Sequence, residues 1–323
     1  MNLDPELADI LAKSGALQEK HEDFDIDEAR RRDNDRAARI RGVLTEEIPE
    51  QVRLWWTGVP RAGGDEIPIL IHRSVEQTAN APVLIWAHGG GFVSGSPLTT
   101  VSRTAALCKC AGVIVVSVDY RLLPEHHFPD NLDDIVTVVE WVMAGGLGSA
   151  ADPNRIVVGG DSAGGNLAAA TCIVARSKLM TGIVGQLLEV PVLDLSDTSN
   201  AMIEARRDIP FLAEALHESH ERYLALGATR GDPRCEPLTI ENTRGLPPAL
   251  LVNCEVDPLR DDVYHYAARL ASGGVPVETV LVEGMAHGTQ GFTKRFPQAA
   301  RAQRRMVTWL QEVTRVDNKN QCF

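Results

Sequence analysis

The feature that most restricts this 323-residue chain is a regular exchange of two kinds of apolar segment from about residue 81 onward. APVLIWAHGG, VIVVSVDY, RIVVGG and GQLLEVPVL contain continuous Val/Ile/Leu runs broken by glycine, acid or proline. Between them lie TVSRTAALCKCAG, NLDDIVTVVEWVMAGG and SAGGNLAAATCIVARSKL, which read as helices. A strand that is apolar on both sides must be covered on both sides. The pattern therefore predicts a mostly parallel central sheet with helices on both faces, the α/β class. The alternation resumes in PALLVNCEVD, DVYHYAARLASGG, VETVLVEG and RFPQAARAQRRMVTWLQEVTR. Ahead of it, VRLWWTGV and IPILIHRSV flank RAGGDE, where Gly63 and Gly64 supply the turn of a hairpin. Trp55 and Trp56 alternate across the first of these strands and are expected to pack rather than to touch a ligand.

Two regions stand outside the alternation. Residues 1–48 carry an apolar stripe of Leu3, Leu7, Ile10 and Leu11 and a second, very polar helix in EARRRDNDRAARIR. Between Asp194 and about Arg244 the sequence turns to amphipathic helix, with Met202, Ile203, Ile209, Phe211, Leu212, Leu216, Tyr223 and Leu224 apolar. The expected organisation is thus N-terminal cap helices over 1–48, a core in two parts over 49–194 and 245–323, and a cap insertion over 195–244. The tail DNKNQCF is expected to fray.

A net charge of −12 argues against a nucleic-acid or anionic-membrane partner, since both need a basic face, and points to a small molecule. The N-terminus has no secretory apolar core, and no stretch approaches the ~18 apolar residues of a membrane span, so a cytoplasmic location is expected. Six scattered cysteines read as reduced, mostly buried thiols. Cys108 and Cys110, two apart on a helix, point to different faces and make a poor metal pair. No cofactor or metal is called for, and a homo-oligomer stays open.

GDSAG interrupts this framework at a strand-to-helix junction. Gly160 and Gly164 flank Ser162 where a Cβ would collide with a neighbouring strand or helix, which is how a serine nucleophile is held out above a sheet. A serine hydroxyl needs a base, and the base needs a carboxylate to orient it. Of nine histidines, His21 lies in the charged N-terminal segment, His72 in an early strand, His126 and His127 in a proline-bracketed loop, and His217, His220 and His265 on helices. His287 follows VETVLVEG at the C-terminal edge of a late strand, where α/β sheets place their ligands. Asp257 ends ALLVNCEV at another such edge, ahead of Pro258. Asp261 and Asp262 compete with it, but they sit where acids favour the start of a helix. The catalytic candidates are Ser162, His287 and Asp257.

Acyl transfer also needs donors for a developing oxyanion. The backbone N–H groups of Gly90 and Gly91 in HGGG can approach a substrate oxygen, and that of Ala163 makes a third donor. His88 is expected to brace the glycine loop. His217 and His220, three apart with Glu218 between them, could share a helical face for a metal, but no third ligand stands near and a solvated cap helix is the expectation.

HGGGFVSGS, DYRLLPEHHFP, GDSAGGNLA, DPLRDD and GMAHG, in this order over residues 80 to 290, resemble the hormone-sensitive-lipase-like esterases, the bacterial family IV group of the α/β-hydrolase superfamily. The resemblance implies an α/β-hydrolase fold with a helical cap, an ester substrate, a triad of Ser162, Asp257 and His287, and an oxyanion hole at Gly90 and Gly91. Leu123, His127 and Asp262 depart from the common motifs, and Thr289 stands where the family often has an aromatic. The expected reaction is hydrolysis of small, fairly hydrophobic carboxylic esters through an acyl-enzyme, lost below about pH 6 as the histidine protonates. An apolar roof from Phe211, Leu212 and Leu216 would favour short or medium acyl chains. The same machinery could serve a lactone or amide, and a receptor of this fold without catalysis is the rival class.

Overall fold

A computed structural model describes residues 2–13 and 25–315. His21, Cys322 and the tail from Val316 lie outside the described residues. Among the described residues, eight strands form one sheet: β1 (Val52–Pro60), β2 (Glu66–Ser74), β3 (Ala81–Ala87), β4 (Ile114–Val118), β5 (Ala151–Asp161), β6 (Ile183–Glu189), β7 (Ala249–Val256) and β8 (Val277–Ala286). Their spatial order is β1-β2-β4-β3-β5-β6-β7-β8. β1 pairs antiparallel with β2 and β2 antiparallel with β4, and every later pairing is parallel.

Residues that alternate along each central strand enter two separate cores. Val83, Ile85 and Ala87 of β3 join Val116 and Val158 on one face, while Leu84 and Trp86 join Val115 and Val157 on the other. The first core is covered by α4 (Asp130–Met143), α5 (Ala163–Ser177) and α8 (Arg260–Ser272), and the second by α3 (Val101–Ala111) and α9 (Pro297–Thr314). Full burial on both sides is the physical reason that these strands read as unbroken apolar runs.

β4 and β5 flank β3 on opposite sides, so the chain leaves the C-terminal end of β3 one way and returns the other. Such a reversal opens a crevice beyond the strand ends. The glycine run after β3 and the serine after β5 both fall there.

The two Trp residues are a correction. Trp55 and Trp56 are 42% and 46% exposed, because β1 is an edge strand that the helices do not reach over much of its length. The helices outside the alternation are α1 (Pro5–Lys13), α2 (Ile26–Ile40), α6 (Asn200–Asp208) and α7 (Pro210–Ala225). In α1, Leu7 and Leu11 insert into the second core. α2 is capped by Asp25, whose carboxylate accepts from Asp27 N and Glu28 N, and it docks through its polar face: Arg30 donates to Val93 O at 2.8 Å and forms a fork with the Glu125 carboxylate. Ser94 and Ser96 in turn donate to Asp33 and Asn34. A very polar helix is held here by paired hydrogen bonds rather than by an apolar stripe.

Candidate active site

β5 ends at Asp161 and α5 starts at Ala163, leaving Ser162 at φ +55° and ψ −119°. That backbone conformation is uncommon for a residue with a Cβ and persists only when its surroundings fix it. They do so on three sides: Ser162 N donates to Glu189 O, and Ser162 O accepts from Asn166 N and Val192 N. The turn is tight enough that a Cβ on Gly160 would stand 2.4 Å from Gly164 O, and one on Gly164 would stand 2.1 Å from Ala87 O. Side chains at either position are therefore excluded, as the motif implies.

His287 follows β8 and Asp257 follows β7. Ser162 Oγ lies 2.9 Å from His287 Nε2, and His287 Nδ1 lies 2.9 Å from Asp257 Oδ2. Three residues separated by up to 125 positions thus form one hydrogen-bonded line. Asp257 is fully buried and its other oxygen accepts from Leu259 N at 2.8 Å. Burial alone would depress the basicity of the imidazole, but the charge and hydrogen bond of Asp257 and the charge of Asp161 outweigh it, raising the His287 pKa above the ordinary histidine value.

Gly90 and Gly91 adopt φ +128° and +60°. A Cβ on Gly90 would meet Ser94 O at 2.1 Å, so only glycine fits. Ala163 is the first residue of α5, where early helical N–H groups lack intrahelical acceptors. His88 sits at the base of this loop, its Nδ1 2.8 Å from Gly89 O and its ring stacked on Tyr120 at 4.3 Å between centroids. Complete burial lowers its pKa to about 4, which keeps it neutral, in the bracing role read from the sequence.

The competing residues go elsewhere. Asp261 and Asp262 occupy the first turn of α8, and Asp261 accepts from Ala201 N at 2.8 Å, holding the start of α6. His72 is buried against Thr104 Oγ1, and His265 is exposed on α8. The expectation of a solvated helix at His217 and His220 holds for His217 alone. His220 is fully buried, and both rings point Nδ1 at one carboxylate, that of Asp197, at 2.8 and 2.7 Å. Asp197 was invisible to helical spacing because it precedes α6 and stands 20 residues from His217.

A second set of residues escaped the sequence reading. Arg103 of α3 forms a buried ion pair with Glu189 at the end of β6 and donates to Gln290 O at 3.0 Å. Both groups share a cavity wall with Asp161. A lone acid in the apolar strand GQLLEVPVL and a lone base in TVSRTAALC were the available signals, since buried charges are rarely unpaired. Thr289 also has a local role: its hydroxyl accepts from Ala286 N at 3.0 Å and donates to Ala286 O at 2.7 Å, closing the turn that carries His287.

The chain is similar to known esterases of one fold family. Residues 84–291 match the family described as alpha/beta hydrolase fold. A carboxylesterase of Mycobacterium tuberculosis, NlhH, is 35% identical over 270 residues, covering 82% of this chain and 84% of its own. The esterase LipI of the same organism is 38% identical over 237 residues, covering 73% and 74%. The solved hyperthermophilic esterase of the archaeon Pyrobaculum calidifontis superposes with a TM-score of 0.87 at 30% identity, over 97% of this chain and 99% of that one.

Proposed function

The chain belongs to the α/β-hydrolase fold family, within its hormone-sensitive-lipase-like group, and is a carboxylic ester hydrolase; from that premise we propose that Ser162 is its nucleophile, His287 its general base and Asp257 the carboxylate that orients the base. Ser162 Oγ attacks the ester carbonyl as His287 Nε2 takes its proton. His287 then returns that proton to the leaving alcohol, and water repeats the cycle on the acyl-enzyme. Asp257 fixes the tautomer in which Nδ1 carries the proton and Nε2 accepts. The N–H groups of Gly90, Gly91 and Ala163 receive the oxyanion. The observation that carries the reading is the unbroken line of two 2.9 Å contacts from Ser162 through His287 to Asp257.

The same proposal makes α1 and α2 together with residues 195–244 a cap over the site. In its support, Tyr223 of α7 stacks on Phe92 at 3.8 Å between centroids, and Ser219 donates to Gly91 O. Among the described residues no helix is long and apolar enough to cross a membrane. Cys108, Cys172, Cys235 and Cys254 are buried free thiols, which accords with a reducing compartment such as the cytoplasm. The test is turnover of p-nitrophenyl esters by Ser162→Ala and His287→Ala, each expected to fall by about 10⁶-fold. Near-native turnover by the folded Ser162→Ala protein would refute the assignment.

A further inference from the structure

A cavity of about 120 Å³ has in its wall Asp161, the chain neighbour of Ser162, and Gly288, the chain neighbour of His287, although Ser162 and His287 do not themselves line it. Ile40, Leu98 and Phe292 contribute apolar wall. Arg103, Glu189, Gln290 and Thr100 also border it, and the first three are 8%, 0% and 6% exposed. Six polar atoms of the cavity wall, Arg41 Nε, Arg103 Nε, Glu189 Oε2, Asp161 Oδ1, Gln290 Oε1 and Thr100 Oγ1, are buried without a hydrogen-bond partner among the described residues. Buried polar groups are rarely left so. Their concentration around one small cavity, walled in part by the chain neighbours of Ser162 and His287, is what an alkyl-binding pocket would avoid.

We infer that this cavity is a specificity subsite for a short hydroxylated limb of the ester, an acyl or alkoxy chain of about four or five heavy atoms. The inference rests on the esterase reading above and names the substrate class of that site. Three of the unpaired atoms are acceptors, Arg41 Nε and Arg103 Nε are donors and the Thr100 hydroxyl is both. A hydroxyl group donates and accepts, an ammonium group only donates, and a methyl group does neither. The Arg103 guanidinium, ion-paired with Glu189, and the Arg41 guanidinium on the same wall offset the carboxylates of Glu189 and Asp161, so the cluster does not present the net negative charge that would select a cation. Apolar walls with a few convergent polar groups are the usual build of a selective small-molecule site.

Two isosteric pairs test this, each exchanging a hydroxyl for a methyl: p-nitrophenyl β-hydroxybutyrate against p-nitrophenyl isovalerate on the acyl side, and glycol monoacetate against propyl acetate on the alkoxy side. The hydroxylated member of one pair is expected to lead by about tenfold or more in kcat/KM, carried by KM, because a site built for a hydroxyl discriminates against its apolar isostere. Thr100→Val and Gln290→Leu should each bring the ratio toward parity, and Thr100→Ser should retain it, with thermal melts confirming that each variant folds. An alkyl member ahead in both pairs, or a ratio unmoved in both variants, overturns the subsite and leaves the esterase reading standing. Failure of the native enzyme on all four compounds and on simple p-nitrophenyl esters overturns both.

Discussion

His287 carries the most direct consequence at the scale of single residues. Because Asp257 and Asp161 raise its pKa above the ordinary value against the effect of burial, the acid limb of kcat/KM lies higher than a free imidazole would put it, above the limit of about pH 6 expected from sequence. The imidazole must be neutral to accept the serine proton, so activity is present above that pKa and lost as pH falls through it. Replacing Asp161 by Asn removes one of the charges that raise it, and the acid limb of the variant should move to lower pH. A profile that stays in place or moves to higher pH would contradict the electrostatic account. Asp257→Asn should shift the limb the same way and cut kcat by up to about 10⁴-fold, less than the loss from Ser162→Ala. At this scale the proposed Ser162, His287 and Asp257 stand out in the sequence because each stands where an apolar strand stops. Asp161 could not be weighed, since its importance depends on Arg103 and Glu189, 58 and 28 positions away in sequence.

Elements set what these residues can reach. The β5–α5 junction has no room for a methyl group at Gly164, where a Cβ would stand 2.1 Å from Ala87 O of the neighbouring strand. Gly164→Ala should therefore destabilise the protein by about 1–3 kcal/mol or more, as overpacking does, read as a lower denaturant midpoint. An unchanged midpoint would mean that the elbow is looser than described. The α6–α7 insertion is tied differently, through Asp197, whose φ of +56° turns its carboxylate to two rings of α7. His220 is buried while the His217 side chain is 47% exposed. His220→Ala should cost about 1–3 kcal/mol because it leaves a buried carboxylate oxygen unpaired, and His217→Ala less than about 1 kcal/mol. Equal losses in chemical denaturation would refute this asymmetry. The helical character of α6 and α7 was legible from apolar periodicity, although the division into two helices at Ile209 was not. Their anchorage was not legible either, because a three-residue spacing on a polar face looks the same whether water or Asp197 receives it.

For the molecule as a whole, folding brings Asp194, Asp197, Asp257, Asp261 and Asp262 near one another, and burial together with those charges raises the Asp262 pKa to about 8. A carboxyl whose folded pKa exceeds its unfolded value stabilises fully below about pH 4, and the benefit disappears as pH rises toward 8. Asp262→Asn should thus melt at least about 2 °C above the native protein at pH 8 and close to it at pH 4; a gap that is constant with pH would exclude the linkage. Sequence by itself determined the α/β class, the order of the elements and the strand ends that bear the serine, histidine and aspartate, because burial on both faces of a sheet imposes continuous apolar runs and glycine alone fits the sharp turns. The exposed edge at Trp55 and Trp56, the anchoring of His220 and the polar lining of the cavity were decided only by tertiary structure. Each depends on which distant segments meet, and a buried charge, unlike an apolar residue, carries no sign in sequence of the partner it will find.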